Sequence, residues 1–276
     1  MKDRVLLTGA TGFVGRHVLR ALIKRGVQVS VIVRDEKHSL LSEHDCIKSI
    51  VTSPNLFAES SEWWANVCKD IDTVIHLAWY AEHGKYIQSS KNIDCLIGTM
   101  QLAKGAVEAG LRRFIGIGTC LEYDLTGGRL STETPLRPLT TYAGTKVAAF
   151  TALSNWLPQE KVEFAWCRLF YLFGDGEDPR RLVPYLHSKL AAGELAELTS
   201  GSKIRDFLDV EDAAEMIVNV ALSDRQGPIN ICSERPITIR QLAQKIADKY
   251  GRHDLLKFGV RTESIFDPQC VLGVLN

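Results

Sequence analysis

Tyr142 and Lys146 stand at i and i+4 in Tyr142-Ala143-Gly144-Thr145-Lys146. On a helix that spacing puts both side chains on one face, one turn apart. A phenol with an ordinary pKa of about 10 is a poor acid–base group at neutral pH. A neighbouring ammonium favours the phenolate and lowers that pKa, so the pair can pass a proton to or from a carbinol oxygen. The spacing alone also describes an ordinary solvated helix face. Thr119, expected at the end of the strand Phe114–Gly118, offers a hydroxyl for the same oxygen. Its other reading is a strand-end hydroxyl bonded to backbone.

What orders these groups is the start of the chain. Thr8-Gly9-Ala10-Thr11-Gly12-Phe13-Val14-Gly15 directly follows the apolar run Val5-Leu6-Leu7. Strand, glycine turn and helix start in that order make a dinucleotide-binding turn. Gly9 permits the turn, Gly12 the close approach of a pyrophosphate, and Gly15 the packing of helix on strand. The phosphates would sit at the helix N-terminus, among free N–H groups. In an open parallel sheet, ligands bind at the carboxyl ends of strands, which is where Thr119 falls.

Strands and helices alternate through the first two thirds of the chain. Arg4–Leu7, Val29–Val33, Thr73–Ala78, Phe114–Gly118 and Val162–Leu169 read as strands. Phe13–Lys24, Lys91–Ala109 and Tyr142–Trp156 read as helices. Such alternation predicts an α/β fold with a Rossmann-type, doubly wound parallel sheet. After Gly174 the rhythm changes. Residues 1–173, rejoined by 206–232, are expected to form the dinucleotide-binding domain; 174–205 and 233–276 are expected to form a smaller, C-terminal substrate-binding lid. The tail from 260 to 276, including Phe266-Asp267-Pro268-Gln269-Cys270-Val271-Leu272-Gly273, shows no assignable role.

Composition narrows the class. The 276 residues are 45% hydrophobic, enough for a large core. Thirty-three basic residues balance 33 acidic ones, so no bulk attraction to nucleic acid or membrane is expected. Seven cysteines form no CxxC pair and the seven histidines no close ligand pair, which suggests a reducing cytoplasm and no metal. No stretch approaches the roughly 20 apolar residues of a membrane span.

The chain resembles the extended short-chain dehydrogenase/reductases, in particular the nucleotide-sugar epimerase, dehydratase and 4-ketoreductase group. The resemblance rests on TGATGFVG, Val74-Ile75-His76-Leu77-Ala78, Gly98-Thr99, Thr119 with Tyr123, YAGTK, Arg168 with Gly174, and Arg205-Asp206-Phe207. It implies that Tyr142 is the acid/base, that Lys146 orients the cofactor ribose and tunes Tyr142, and that Thr119 holds the sugar oxygen. It implies a cofactor site from Gly9, Thr11, Gly12, Phe13, Val14, Gly15, Arg34, Leu77, Ala78, Trp79, Tyr142, Lys146 and Arg168. It implies substrate contacts from Thr119, Cys120, Tyr171 and Arg205, the last holding the sugar-nucleotide pyrophosphate through its arginine fork. For Arg205 the other reading is an ion pair with a neighbour such as Asp206; for Trp79 it is core packing.

Departures from the family pattern bear on the reaction. The family's 4,6-dehydratases carry Asp-Glu after the threonine, where this chain has Cys120-Leu121, and decarboxylases typically have Glu where Leu121 stands. Leucine cannot exchange a proton. Glu122 is one residue off and should point elsewhere, in a structural role. Nothing near Cys120 in sequence activates it as a nucleophile, so it reads as a pocket-lining thiol.

At the end of the second strand stand Val33 and Arg34, which suit a 2′-phosphate. NADP(H) is therefore expected over NAD(H); in the alternative, Asp35 slides into the acid position. The sum is a cytoplasmic, NADPH-dependent reductase of a nucleotide-linked 4-keto-6-deoxyhexose, resembling the 4-ketoreductases of deoxysugar and surface-polysaccharide biosynthesis. A 4-epimerase with no net redox change and a cofactor-sensing protein without turnover are the alternatives. The family's habit of pairing two helices implies a homodimer through 91–109 and 142–156.

Overall fold

Each strand of the main sheet is a short apolar run that carries its chain directly into a turn, and the segments between them are long enough to cross a face of the sheet. In the computed structural model, which describes residues 4–34, 36–37, 44–263 and 267–276, the chain runs as follows. It begins β1 (Arg4–Thr8), α1 (Phe13–Lys24), β2 (Gln28–Val33), β3 (Ile47–Thr52), α2 (Ser61–Val67), β4 (Thr73–His76) and α3 (Lys91–Glu108). It continues β5 (Arg113–Thr119), β6 (Arg129–Leu130), α4 (Thr141–Trp156), β7 (Glu163–Leu169), β8 (Tyr171–Phe173) and α5 (Leu182–Ala191). It ends β9 (Ala196–Glu197), β10 (Ile204–Asp209), α6 (Val210–Ala221), β11 (Gly227–Ile231), β12 (Pro236–Thr238), α7 (Ile239–Asp248), β13 (Leu256–Lys257) and β14 (Cys270–Gly273).

The main sheet has seven parallel strands in the order β3-β2-β1-β4-β5-β7-β11. The chain winds outward from β1 to β3, then returns to place β4 on the other side of β1. That reversal opens a crevice at the carboxyl ends of β1 and β4. One face of the sheet is covered by α1 and α6, whose Val18, Leu22 and Ile217 pack on Val5 and Leu7. The other is covered by α2, α3 and α4, through Trp64, Leu102 and Leu153 on Leu6, Phe114 and Trp166.

A second sheet runs β12-β10-β14-β6, with β8 also paired to β10. Here the structure corrects the expected domain limits. Arg129–Leu130, Tyr171–Phe173 and Asp206–Asp209, all assigned from sequence to the dinucleotide-binding part, belong to this second sheet. Only α6 and β11 return to the main one. The tail is structured too: Cys270–Gly273 lies between β10 and β6, and Val271 and Leu272 are buried. Strands of two to four residues are too short to show alternation, so their pairing comes from partners far along the chain. Phe266 and Asp35 lie outside the described residues.

Two glycines set how closely α3 can approach its neighbours. Gly98 and Gly105 are two turns apart on one face. A Cβ on Gly98 would stand 2.7 Å from Phe57 Cβ, and one on Gly105 would stand 2.7 Å from the backbone nitrogen of Ala65. Gly105→Ala gains about 1 kcal/mol of helix propensity but overpacks against backbone that cannot yield, at a cost of up to about 3 kcal/mol. Urea unfolding should show a net loss of roughly 1–2 kcal/mol.

Candidate active site

The glycine turn closes on itself, with the Gly12 N–H donating to the Gly9 carbonyl at 2.9 Å. Gly9 sits at φ +75°, and a Cβ there would stand 2.8 Å from the backbone nitrogen of Ala78. A Cβ on Gly15 would stand 2.7 Å from the carbonyl carbon of Gly9. The first turn of α1 therefore lies directly on the turn that follows β1. Gly12 caps α1 without a side-chain bond, and no acidic residue enters the first turn. The N-terminal N–H groups and the positive end of the helix are left for an anion.

This turn forms one wall of a cleft of about 1060 Å³. Gly9, Thr11, Gly12, Phe13, Val14, Gly15, Arg34, Leu77, Ala78, Trp79, Thr119, Tyr142 and Lys146 all line it. Asn55 and Leu56 border it as well. Arg34 is exposed and paired with Glu36 at 3.2 Å. A glycine cradle, a free helix terminus and a cleft of this length fit a dinucleotide.

The segment 77–80, which crosses the cleft, is held from beneath by a buried chain of side chains. Thr99 Oγ1 donates to the Cys95 carbonyl at 2.7 Å, and the Ala78 N–H donates to Thr8 Oγ1 at 3.1 Å. His76 bridges them, with Nδ1 2.8 Å from Thr8 Oγ1 and Nε2 2.9 Å from Thr99 Oγ1. With the Thr99 hydroxyl proton committed to Cys95, the ring must be neutral with its proton on Nε2. Burial, and then the Lys146 charge, hold its pKa down to about 3.

Thr140 caps α4 by accepting the Ala143 N–H at 3.1 Å, which sets Tyr142 in the first turn and Lys146 one turn on. Lys146 is buried, and its Nζ donates to the Ile117 carbonyl at 2.6 Å. The Trp79 ring lies over the ammonium, 3.6 Å from Nζ to the ring centroid, while Trp79 Nε1 donates to Asn92 Oδ1 at 2.9 Å. Trp79 is thus a wall of the cleft and a partner of Lys146 rather than core filler. The Tyr142 ring meets Tyr86 edge-on at 4.8 Å, and Tyr142 and Thr119 line the same cleft. The structure brings hydroxyl, phenol and amine together in one cleft.

The electrostatics differ from the expectation of a phenol tuned downward by Lys146. Burial, followed by Tyr86, Glu122 and Cys120, pushes the Tyr142 phenol well above its ordinary range, and Thr119 acts in the other direction. Burial lowers Lys146 to about 7, and Glu122 opposes that fall.

Four residues assigned to ligands from sequence sit elsewhere. Arg168 does not reach the cleft. Its Nε donates to Glu122 at 2.6 Å and its NH1 to the Tyr123 hydroxyl at 3.0 Å, all of it buried beneath the strand ends. Cys120 turns into a cluster with Tyr123, Phe170 and Val271, where burial pushes its thiol up to about 12 and leaves it unreactive at neutral pH. Tyr171 packs on Phe207 and on Arg205, whose guanidinium lies 5.3 Å from the Tyr171 ring centroid. The Arg205 fork is taken by Asp267 at 2.7 Å, in the tail, and not by Asp206, which accepts N–H groups of Ser233, Glu234 and Gly273. Asp267 also accepts from Lys203 at 2.8 Å. Conversely Tyr86 and Asn92 shape the site without having been singled out, and His76, quoted within the Val74–Ala78 motif, had been given no role of its own. Nothing local in the sequence marks Tyr86 or Asn92, since their partners lie on other elements.

The described residues contain no group of three His, Cys, Asp or Glu that could hold a metal, and no helix long and apolar enough to cross a membrane. All seven cysteines are free thiols.

The model of the NAD dependent epimerase/dehydratase family matches residues 5–232. This chain belongs to that family. Over 98% of each chain it is 25% identical to a dTDP-6-deoxy-L-talose 4-dehydrogenase (NAD(+)) of Aggregatibacter actinomycetemcomitans. It is also 25% identical to a dTDP-6-deoxy-L-talose 4-dehydrogenase (NAD(P)(+)) of Kitasatospora kifunensis, over 90% of this chain and 79% of that one. The structure of a Thermus thermophilus UDP-glucose 4-epimerase in complex with NAD superposes with a TM-score of 0.83 at 20% identity, covering 99% of this chain and 90% of that one. The fold of this epimerase/dehydratase-family chain is thus the Rossmann-type fold expected.

Buried neutral His76 gives a pH prediction. Below its ordinary pKa of 6.5 the unfolded chain takes up a proton that the folded chain refuses until about pH 3. Its folded pKa is depressed, so its contribution is present above 6.5 and is lost as pH falls. Between pH 7 and pH 5, urea unfolding of His76→Gln should lose about 1–2 kcal/mol less stability than the wild type does.

Proposed function

We propose that this chain is an NADPH-dependent reductase that converts a nucleotide-linked 4-keto-6-deoxyhexose to the 4-hydroxy sugar. The observation that carries this reading is that Thr119, Tyr142 and Lys146 line one cleft together with the glycine turn. Gly9, Gly12 and Gly15 would admit the pyrophosphate of a bound dinucleotide and Lys146, in the same cleft, would hold its ribose; such a cofactor would supply the hydride.

The chain's own residues handle the proton. Thr119 fixes the ketone oxygen by hydrogen bonding. Tyr142 gives its phenolic proton to that oxygen as it becomes an alkoxide, and the Lys146 ammonium stabilises the phenolate left behind. Leu121 supplies no carboxylate for loss of water or carbon dioxide, and the Glu122 carboxylate is buried and not part of the cleft lining. Two relatives named for redox at position 4 of a dTDP-linked 6-deoxyhexose support the reading. The alternative is a 4-epimerase built on the same three residues, the activity named for the Thermus thermophilus neighbour.

We also propose a homodimer, formed through the exposed Ile93 and Ile97, one turn apart on α3, together with α4. The odd number of cysteines, seven, with no CxxC pair, supports the proposal of a cytoplasmic protein.

A panel of UDP-, GDP-, CDP- and dTDP-linked 4-ketosugars, with products followed by NMR, tests the reaction. A reductase consumes NADPH one-for-one with product; sugar interconversion without net consumption would favour the epimerase. Tyr142→Phe should lower kcat by at least about a hundredfold with KM little changed, and a fully active variant would remove the mechanism. Arg34→Ala should raise KM for NADPH and spare NADH, because the guanidinium at the end of β2 is assigned to the 2′-phosphate; an equal effect on both cofactors overturns that assignment.

A further inference from the structure

Glu122 lies three residues past the strand end that carries Thr119, and it is closed to solvent. Its Oε1 accepts the Thr119 backbone N–H at 2.8 Å and the Trp166 indole N–H at 3.1 Å. Its Oε2 accepts the same indole at 3.1 Å and Arg168 Nε at 2.6 Å. Arg168 is clamped in turn, its guanidinium 4.6 Å from the ring centroids of both Tyr123 and Phe150. The indole sits so close to β5 that a Cβ on Gly118 would stand 2.9 Å from Trp166 Cδ1. The Lys146 ammonium lies 5.8 Å from the centroid of that same indole. One carboxylate therefore touches the backbone of Thr119 and, through Trp166, the surroundings of Lys146.

Packing alone does not call for this arrangement. A buried ion pair is often no more stabilising than an apolar replacement of the same volume. We propose that Glu122 is a positioning residue for the acid–base set: its carboxylate fixes the Thr119 backbone, and hence the hydroxyl it carries, and its negative charge, held at the Trp166 indole, favours the Lys146 ammonium. The inference rests on the assignment of Thr119, Tyr142 and Lys146 given above. Thr119 Oγ1 also accepts the Leu121 N–H at 3.3 Å, which completes a reciprocal cap around the strand end and holds the hydroxyl in one orientation. The groups acting on Lys146 come from every element around it. His76 on β4 and Cys95 on α3 are near enough to interact, Tyr142 shares its helix, and Glu122 has the largest effect in favour of the charged amine.

The test compares wild type with Glu122→Gln, which keeps the size and the acceptor but removes the charge. The readout is the ionisation of Lys146 by NMR of lysine-labelled protein, its signal assigned by its absence in Lys146→Met. The ionisation should move to lower pH by about one unit or more in Glu122→Gln. It should remain near its wild-type position in Glu122→Asp, which keeps the charge. A role in packing alone would lower Tm and leave the Lys146 titration in place, and that result overturns the proposal. Should the uncompensated Arg168 unfold Glu122→Gln, the double variant Glu122→Gln/Arg168→Met removes the pair together. Measured against Arg168→Met, from which it differs only at position 122, that double variant should still show the shift, and its absence overturns the proposal. The readout needs neither cofactor nor substrate. A fully active Tyr142→Phe would end the proposed reaction while leaving the Lys146 shift intact, and an unmoved Lys146 with an inactive Tyr142→Phe would do the reverse.

Discussion

Lys146 places a cation where water barely reaches, and a buried charge is tolerated only with partners. The partners come from four directions. The Ile117 carbonyl at the end of β5 accepts its proton, the Trp79 face covers it, Glu122 opposes its loss of charge, and the N-cap at Thr140 sets its height along α4. Each of these groups also belongs to the lining or the floor of the cleft. Stabilising the cation and assembling the site are one task.

That task depends on how flat the middle strand can be. Gly116 and Gly118 on β5 have no side chains on the face toward α4, so the Trp166 ring from the neighbouring strand lies against them. The indole then reaches Glu122, and Glu122 reaches Thr119. A larger residue at either glycine would push the indole outward and take Glu122 from the strand end. On the other side of the crevice the same economy of volume appears at Gly9 and Gly15, where the first turn of α1 meets β1 and β4. The cleft is a place where backbones approach each other, held open by side chains that ring it.

The site was partly legible in the residues. The glycine turn, Tyr142 with Lys146 at helical spacing, and Thr119 at a strand end could be read because each signal is local or follows from the winding of a parallel sheet. The roles of Arg168, Cys120, Tyr171 and Arg205 were not legible in this way. Position along a strand says which face a side chain takes, but not who waits there. Arg168 meets Glu122 from the adjoining strand, and Arg205 meets Asp267 from a tail whose strand is too short to announce itself. Glu122 was expected to point away from the position of Leu121, in a structural role, yet its neighbours in sequence gave no hint of its partners at Thr119, Trp166 and Arg168.

The sequence by itself determined the alternation of strands and helices, and with it the parallel sheet and the crevice at its switch point. Periodicity and glycine placement are properties of consecutive residues. Only the tertiary structure decided which charges are paired, which groups are buried, and which arginine is already engaged. Those outcomes depend on burial and on distances between groups remote along the chain, where electrostatic energy is set by the surroundings and not by residue type.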